Sequence, residues 1–463
     1  MTFLKYVFFF FLLSVITFSC KKESFITSPQ AKLSTSIDTL MYDTVFTSVG
    51  SVTQSFKIFN DNNQKLRLSR VKLSGGVASP FKINVDGTSA TEVDDIEINA
   101  NDSMYVFVQV NVNPTADNLP FILQDSILIS YNGNQKFVQL EAYGQNAIFL
   151  NTVKLTGNIT WNKTLPYVIL GGILIDSSAT LTVQEGTRIF LHADAPFIVD
   201  GTLIVNGIKE DSVVFAGDRL DPDYKDLPAG WPGIFFSSSS RDNYLKHAII
   251  KNAYQGIIAQ DLSTNANPKV TLSQCIVDNI YDAGIVGINT NIYADNCLIS
   301  NCGSNILLEL GGDYRFINCT VASYNNFYIT HKNPVLQASN AAMQNGVTFT
   351  ATLKAFFQNC IFWGDNGNVD NEIAINFVGN NSPVNFDHVL YKAKDDVANG
   401  TFDALSIKNM DPAFDSIDVS HGYYNFHLND NSPAIDAGVI TTFPLDLDNK
   451  LRDTKPDIGC YEH

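Results

Sequence analysis

Basic side chains are scarce: 30 Lys and Arg stand against 47 Asp and Glu, a formal net charge of −17 over 463 residues. That balance repels nucleic-acid phosphates and disfavours simple electrostatic docking to anionic lipid. Charged residues of both signs reach only 17% while hydrophobic ones reach 45%, which suits a sheet-rich globular chain and not a disordered one. Cysteine is sparse as well. Seven occur and no pair has Cys-x-x-Cys spacing, so neither a zinc site nor a thioredoxin-type redox site is indicated. His192, His331 and His388 stand apart from one another and give no metal constellation. No amphipathic helical stretch interrupts the central region, which excludes helical and leucine-rich solenoids. The acidic residues are scattered through turns and read as a solvated surface.

What the chain does have is a repeat. Residues 270–279 (VTLSQCIVDN), 292–301 (IYADNCLISN), 314–321 (YRFINCTV) and 353–362 (LKAFFQNCIF) share one phrase. It is an alternating apolar strand, then Asn-Cys or Gln-Cys, then a second short apolar strand. Looser copies occur at 245–250 and 384–390. Cys275, Cys297 and Cys319 recur every 22 residues, and Cys360 follows after 41, close to two periods. Strand-sized pieces at such a period are the signature of a β-solenoid, where each coil buries its inward side chains against the coils above and below. Coils step by the inter-strand spacing of roughly 4.8 Å, so equivalent residues stack. The cysteines are then a reduced, inward ladder, with Asn296 and Asn318 laddering at the adjacent turn. Cys302 and Cys460 have no obvious partner. The repeat resembles the right-handed parallel β-helix family, which implies the same fold.

Other segments divide the rest of the chain. Residues 1–19 read as a secretory leader too short to span a bilayer. With Ser19-Cys20 this leader resembles a bacterial lipoprotein signal, although Thr17 and Phe18 depart from the stricter pattern. The resemblance implies lipid attachment at Cys20, a tether over 20–32, and residence as an outer-membrane lipoprotein of a Gram-negative envelope. The charged Lys21-Lys22-Glu23 resembles surface-export signals. Residues 33–148 alternate as half-buried strands, with a hairpin at Asn132-Gly133, and about seven short strands predict an immunoglobulin-like sandwich. Val49-Gly50, Phe59-Asn60-Asp61, the run from Val106 to Pro114, and Tyr143-Gly144 resemble the ASPM/SPD-2/Hydin-like kind. The solenoid is expected over 149–430. Within it Trp231-Pro232-Gly233-Ile234 resembles a corner phrase of secreted β-helices, where the indole packs. Residues 431–463, with Ser432-Pro433-Ala434-Ile435-Asp436-Ala437-Gly438 and Asp457-Ile458-Gly459-Cys460-Tyr461-Glu462, resemble the C-terminal signature of choice-of-anchor β-helix proteins. Asp436, Asp448, Arg452 and Asp457 are expected to form a salt-bridged plug over the last coil, whose sheet edge is otherwise open.

Together these features predict an all-β chain, a sandwich followed by a right-handed parallel β-helix with a C-terminal cap. The leading functional expectation is an exported, lipid-anchored envelope protein that binds glycan or mediates adhesion without catalysis and without a cofactor. Its partners are the membrane, through the lipid, and a polysaccharide or glycan, but not nucleic acid. The alternative is a polysaccharide lyase or glycoside hydrolase, and a third reading is a structural envelope component. Lyase chemistry needs a calcium-holding carboxylate cluster facing an Arg or Lys base. The candidates are Arg315 as base, Glu309 and Asp313 around Gly311-Gly312, and Asp282 one coil earlier. The 218–226 loop has a calcium-loop composition without EF-hand spacing. No Gly-His-Gly or clustered aspartates of a polygalacturonase type are present; only His421-Gly422 occurs. Six Asp-Ser/Thr-aliphatic triplets, among them Asp102-Ser103-Met104 and Asp125-Ser126-Ile127, resemble an O-glycosylation sequon of Gram-negative exported proteins.

Overall fold

The computed structural model describes residues 24–46, 51, 53–112, 121–221, 224–365, 369–380 and 383–463. The leader, Cys20, Lys21-Lys22-Glu23, Val49-Gly50 and Pro114 lie outside the described residues. Two compact units divide the chain, residues 1–146 and 147–463.

The first unit is a sandwich of two five-stranded sheets, antiparallel except where Thr39–Phe46 pairs parallel with Asn134–Gln145. Strict alternation builds it: along Ser103–Val110, Met104, Val106, Val108 and Val110 point into the core while Tyr105 and Phe107 face out. Phe56, Ile58, Ile127, Ile129, Val138 and Leu140 fill the interior from the neighbouring strands. Tyr42 ties the sheets together, its hydroxyl donating to the Val108 carbonyl. The hairpin at Asn132-Gly133 forms with both residues at positive φ, the geometry that matches strand twist. More strands exist than the seven expected. The excess includes very short edge pieces such as Leu33–Thr35 and Thr88–Ser89, too brief to show a period.

The second unit is a parallel β-helix. One face is an 11-stranded parallel sheet, and a 17-stranded sheet supplies the other two faces, two strands to most coils. Equivalent residues lie in register from coil to coil, as in Ile276, Leu298, Thr320, Ile361, Leu390 and Ile407. Inward positions form continuous stacks. Phe316, Phe357, Phe386 and Phe402 are stacked rings with centroids 5.3, 5.2 and 4.4 Å apart. Each such pair adds about 0.5–1.5 kcal/mol beyond its burial. Cys275, Cys297, Cys319 and Cys360 are free, fully buried and stacked alongside; the Cys275 amide points at the Cys297 sulfur, 3.4 Å away. Burial pushes the Cys297 and Cys360 thiols well above the ordinary range. Cys302 and Cys460 are also buried and free. Trp231 packs with no exposure, and its indole donates to the Lys251 carbonyl.

Two expectations need correction. The 41 residues from Cys319 to Cys360 make one coil, not two, because Thr320 pairs directly with Ile361. The extra length is an excursion through 325–335 and an antiparallel hairpin, Ala341–Gln344 with Val347–Thr350. The C-terminal segment does not plug the last coil either. Parallel pairing ends at Ile407–Lys408, and the chain then turns back along the outside of the 11-stranded sheet. There Phe414, Phe426, Leu428, Leu447, Ile458 and Tyr461 cover the outward Leu298, Ala322, Ile361 and Leu390. The four charged residues form no ion pair with one another. Arg452 pairs with Glu462 at 3.1 Å, Asp448 with Lys209 and His427, and Asp457 accepts the backbone amides of Asp436 and His463. Burying this apolar outer face gains roughly 25 cal/mol per Å², so the segment caps the flank.

Candidate functional site

Coils turn at the two borders of the 11-stranded sheet, and in the middle coils single left-handed residues make those turns. At one border stand His247, Gln274, Asn296, Asn318, Asn359 and His388, with φ between 43° and 53°. At the other stand Asn252, Asn279 and Asn301, with φ of 61°, 55° and 51°. Asparagine tolerates this conformation better than other residues with a Cβ, and its amide can bond to a neighbouring copy.

The first column is covered. Asn359 donates to Asn318 at 2.9 Å. The expected rung between Asn296 and Asn318 does not form, because Asn296 donates to Asp295 and accepts from Arg452 while Asn318 donates to Thr441. The remaining amides are taken by the C-terminal segment: Gln274 bonds to Asp446 and Asn449, Asn296 accepts from Arg452, Asn318 donates to Thr441, and Asn359 clasps Val439.

The second column floors an open cleft of about 320 Å³. Asn279 donates to Asn252 at 2.9 Å and accepts from Asn326 at 3.1 Å. Lys251 and Asp278, one residue before the turns, lie beside it in register. Burial raises the Asp278 carboxyl, against the pull of the Ser300 hydroxyl donating to it at 2.6 Å and of Lys251. One wall is the 325–335 excursion, folded by Asn326, whose side-chain oxygen accepts the amides of Tyr328 and Ile329. It presents Phe327 and Tyr328, 68% and 47% exposed. The opposite wall is the turn of the C-terminal hairpin, with His421, Gly422 and Tyr424; the Tyr424 hydroxyl donates to the Asn325 carbonyl, joining the walls. Hydrogen bonds from Ser420 and His421 hold the Asp418 carboxyl down to about 2. Two residues past the column, Tyr254 and Tyr281 form an exposed stack, centroids 5.7 Å apart.

Elsewhere the candidate residues are distributed as follows. Glu309, Asp313 and Arg315 share one strand, Ser304–Ile317, bent at Leu310, Gly311 and Gly312, all at positive φ. Arg315 lies over the Phe356 ring at 5.9 Å and makes no ion pair with Glu309 or Asp313 among the described residues. Asp282 accepts a hydrogen bond from Gln255 at 2.7 Å and sits six residues from the Ile288 level that Glu309 faces. That is roughly 20 Å along the strand. The structure therefore keeps Asp282 apart from the other three. In the 218–226 loop Asp218 bonds to His192 and Asp221 pairs with Arg219, while Asp226 lines the cleft. His388, isolated in sequence, lies between Asp387 and Asp403 at 2.7 and 3.4 Å. Asp403 also accepts from the His388 and Leu405 amides and the Ser406 hydroxyl, so this group secures a turn of the last coils.

Sequence reasoning missed the cleft. Its floor was visible, since Asn279 and Asn301 repeat at the cysteine period. Its walls were not, because neither the 325–335 excursion nor the 418–424 turn belongs to the repeat.

No family model and no curated protein matches the chain. Among solved structures, the chain is similar to a family 123 glycoside hydrolase from Clostridium perfringens, described for glycolipid glycan hydrolysis, at 9% identity and a TM-score of 0.19. That likeness covers 27% of this chain and 26% of the hydrolase, so the chain spans about a quarter of its length. An ASH/PapD-like domain of human CEP192 is similar at 8% identity and a TM-score of 0.18, covering 28% of this chain and 97% of the domain.

Proposed function

We propose that the chain is a glycan-binding protein and that the cleft over Asn252, Asn279 and Asn301 is where it holds its ligand. One observation carries this reading. Exposed aromatic rings, Phe327 and Tyr328, share a cleft with an ordered amide column and a Lys251–Asp278 row. Sugar rings offer apolar C–H faces to aromatics and hydroxyls to amides and carboxylates, and recognition sites pair those two kinds of group. Asp226 and Asp278 line the cleft beside one lysine, Lys251, which favours a neutral glycan over a polyuronate. Holding Arg315 over an aromatic ring, with no carboxylate paired to it, supports binding over lyase chemistry. In this reading the leader and Cys20 tether the protein to the outer membrane, with the β-helix held out to meet the sugar.

The test is a glycan array with the purified protein, followed by calorimetry on the best ligand. Tyr328→Ala is expected to weaken binding about tenfold, or about 1.4 kcal/mol, with an unchanged melting temperature. Arg315→Ala is expected to leave affinity unchanged. Binding that survives Tyr328→Ala and Phe327→Ala would remove the cleft from the proposal. Incubation with pectate, alginate and glycosaminoglycans plus calcium is expected to give no unsaturated product, and product formation lost in Arg315→Ala would move the chain to the lyases.

A further inference from the structure

The hairpin formed by Ala341–Gln344 and Val347–Thr350 departs from the long coil and combines exposed apolar side chains with an uncharged, unpaired edge. Met343, Val347 and Phe349 are 75%, 54% and 48% exposed. No Asp, Glu, Lys or Arg occurs between Lys332 and Lys354, in a chain whose formal net charge is −17. The two strands pair only with each other among the described residues, which leaves the outer edge of Val347–Thr350 open. That edge reads Val-Thr-Phe-Thr, all residues that favour strands. Edge strands that stay solitary are normally protected by charge, proline or a bulge, and this one carries none of the three. Its turn, Asn345-Gly346 with both residues at positive φ, holds the hairpin rigid in the geometry suited to strand twist.

We propose that this hairpin is a self-association surface. The Val347–Thr350 edge pairs antiparallel with the same edge of a second copy, so that two hairpins form one four-stranded sheet across a two-fold axis. An identical partner follows from the features of the edge. Its open backbone groups are satisfied by another strand, a two-fold brings like edges together in antiparallel register, and the uncharged patch is where two strongly acidic copies repel each other least. A lipid surface fits less well, because the part of the hairpin that would enter first is the polar Gln344-Asn345-Gly346. Two such short hairpins bury less than the roughly 1,200 Å² of a standard interface, so the equilibrium is weak and concentration-dependent.

Sedimentation velocity of the purified protein over a wide concentration range tests this. The weight-average mass is expected to climb from the monomer toward twice that value, whereas Val347→Lys and Phe349→Lys stay monomeric with unchanged melting temperatures. A cysteine at the centre of the edge, Thr348→Cys, lies next to its own copy across the two-fold. It is expected to give a disulfide-linked dimer on mild oxidation, while Leu405→Cys, exposed elsewhere, does not. Three results would overturn the proposal. These are a monomer at every concentration, association unaffected by either lysine substitution, or a monomer that binds zwitterionic vesicles through the hairpin.

Discussion

The two borders of the 11-stranded sheet share a device, a left-handed polar residue at successive coils, and have different fates. Along one, the C-terminal segment takes up the side chains of Gln274, Asn296, Asn318 and Asn359. Along the other, Asn279 bonds to Asn252, the two also donate to the Asp226 and Lys225 carbonyls, and a cleft lined by Lys251, Asp278, Phe327 and Tyr328 is left. Corner geometry therefore does not make a site. What decides is whether the chain spends its own irregular segments on covering the column or on walling it.

Breaking the covered side has the largest expected effect. Arg452 and Glu462 are an ion pair with side chains only 4% and 6% exposed, and Arg452 also bonds to Asn296 and to the Asp457 and Gly459 carbonyls. Arg452→Ala leaves the buried Glu462 with the Asp453 and Asp457 amides but no cation, at a cost of about 3–5 kcal/mol in urea unfolding. Unchanged stability would show that the segment is not fastened by this pair.

Acid sharpens the comparison on the same side. Asp295, beside Asn296, is pushed up to about 6, chiefly by burial and against hydrogen bonds from Ser273 and Asn296. An unfolded aspartate titrates near 3.9, so between about pH 4 and pH 6 the native state holds more protons than the unfolded one. Stability from this group is therefore fully present below about pH 4 and is lost as pH rises through about 6. Asp295→Asn should remove a slope of about 2–3 kcal/mol across that window, read as the difference between wild-type and variant urea midpoints. Parallel curves for the two proteins would count against a buried, protonated Asp295.

Glycine substitution, which keeps the left-handed turn, isolates the amides. Asn359→Gly loses the bonds to Asn318 and to both backbone groups of Val439, and is expected to cost about 2 kcal/mol. Asn301→Gly loses chiefly the bond accepted from the Tyr324 amide and is expected to cost about 1 kcal/mol. Equal losses in chemical denaturation would mean that the two columns are fastened alike.

Much of the solenoid was legible because each coil has the next copy of itself as a neighbour. Cys275, Cys297 and Cys319, their asparagine turns and the alternation of Ile292–Tyr293–Ala294 therefore announce register and burial together. Where a segment packs against something that is not its copy, no period reports it. The 41-residue spacing imitates two coils because an excursion and a hairpin happen to be nearly one coil long. Arg452 looked like part of a four-residue plug, yet its partners are Glu462, ten positions on, and Asn296, on the flank of a coil far earlier in the chain. His388 stood alone in the sequence and meets Asp403 only because the last coils stack. The cleft was hidden for the same reason, its walls being the two stretches that repeat nothing.

A stack of coils left to itself unfolds piecemeal, each coil answering only to its neighbours. The returning C-terminal segment changes that, because it touches Lys209, Gln274, Asn296, Asn318 and Asn359 in succession. Coils that never meet each other are coupled through one strap, which favours a single cooperative transition over fraying from the end.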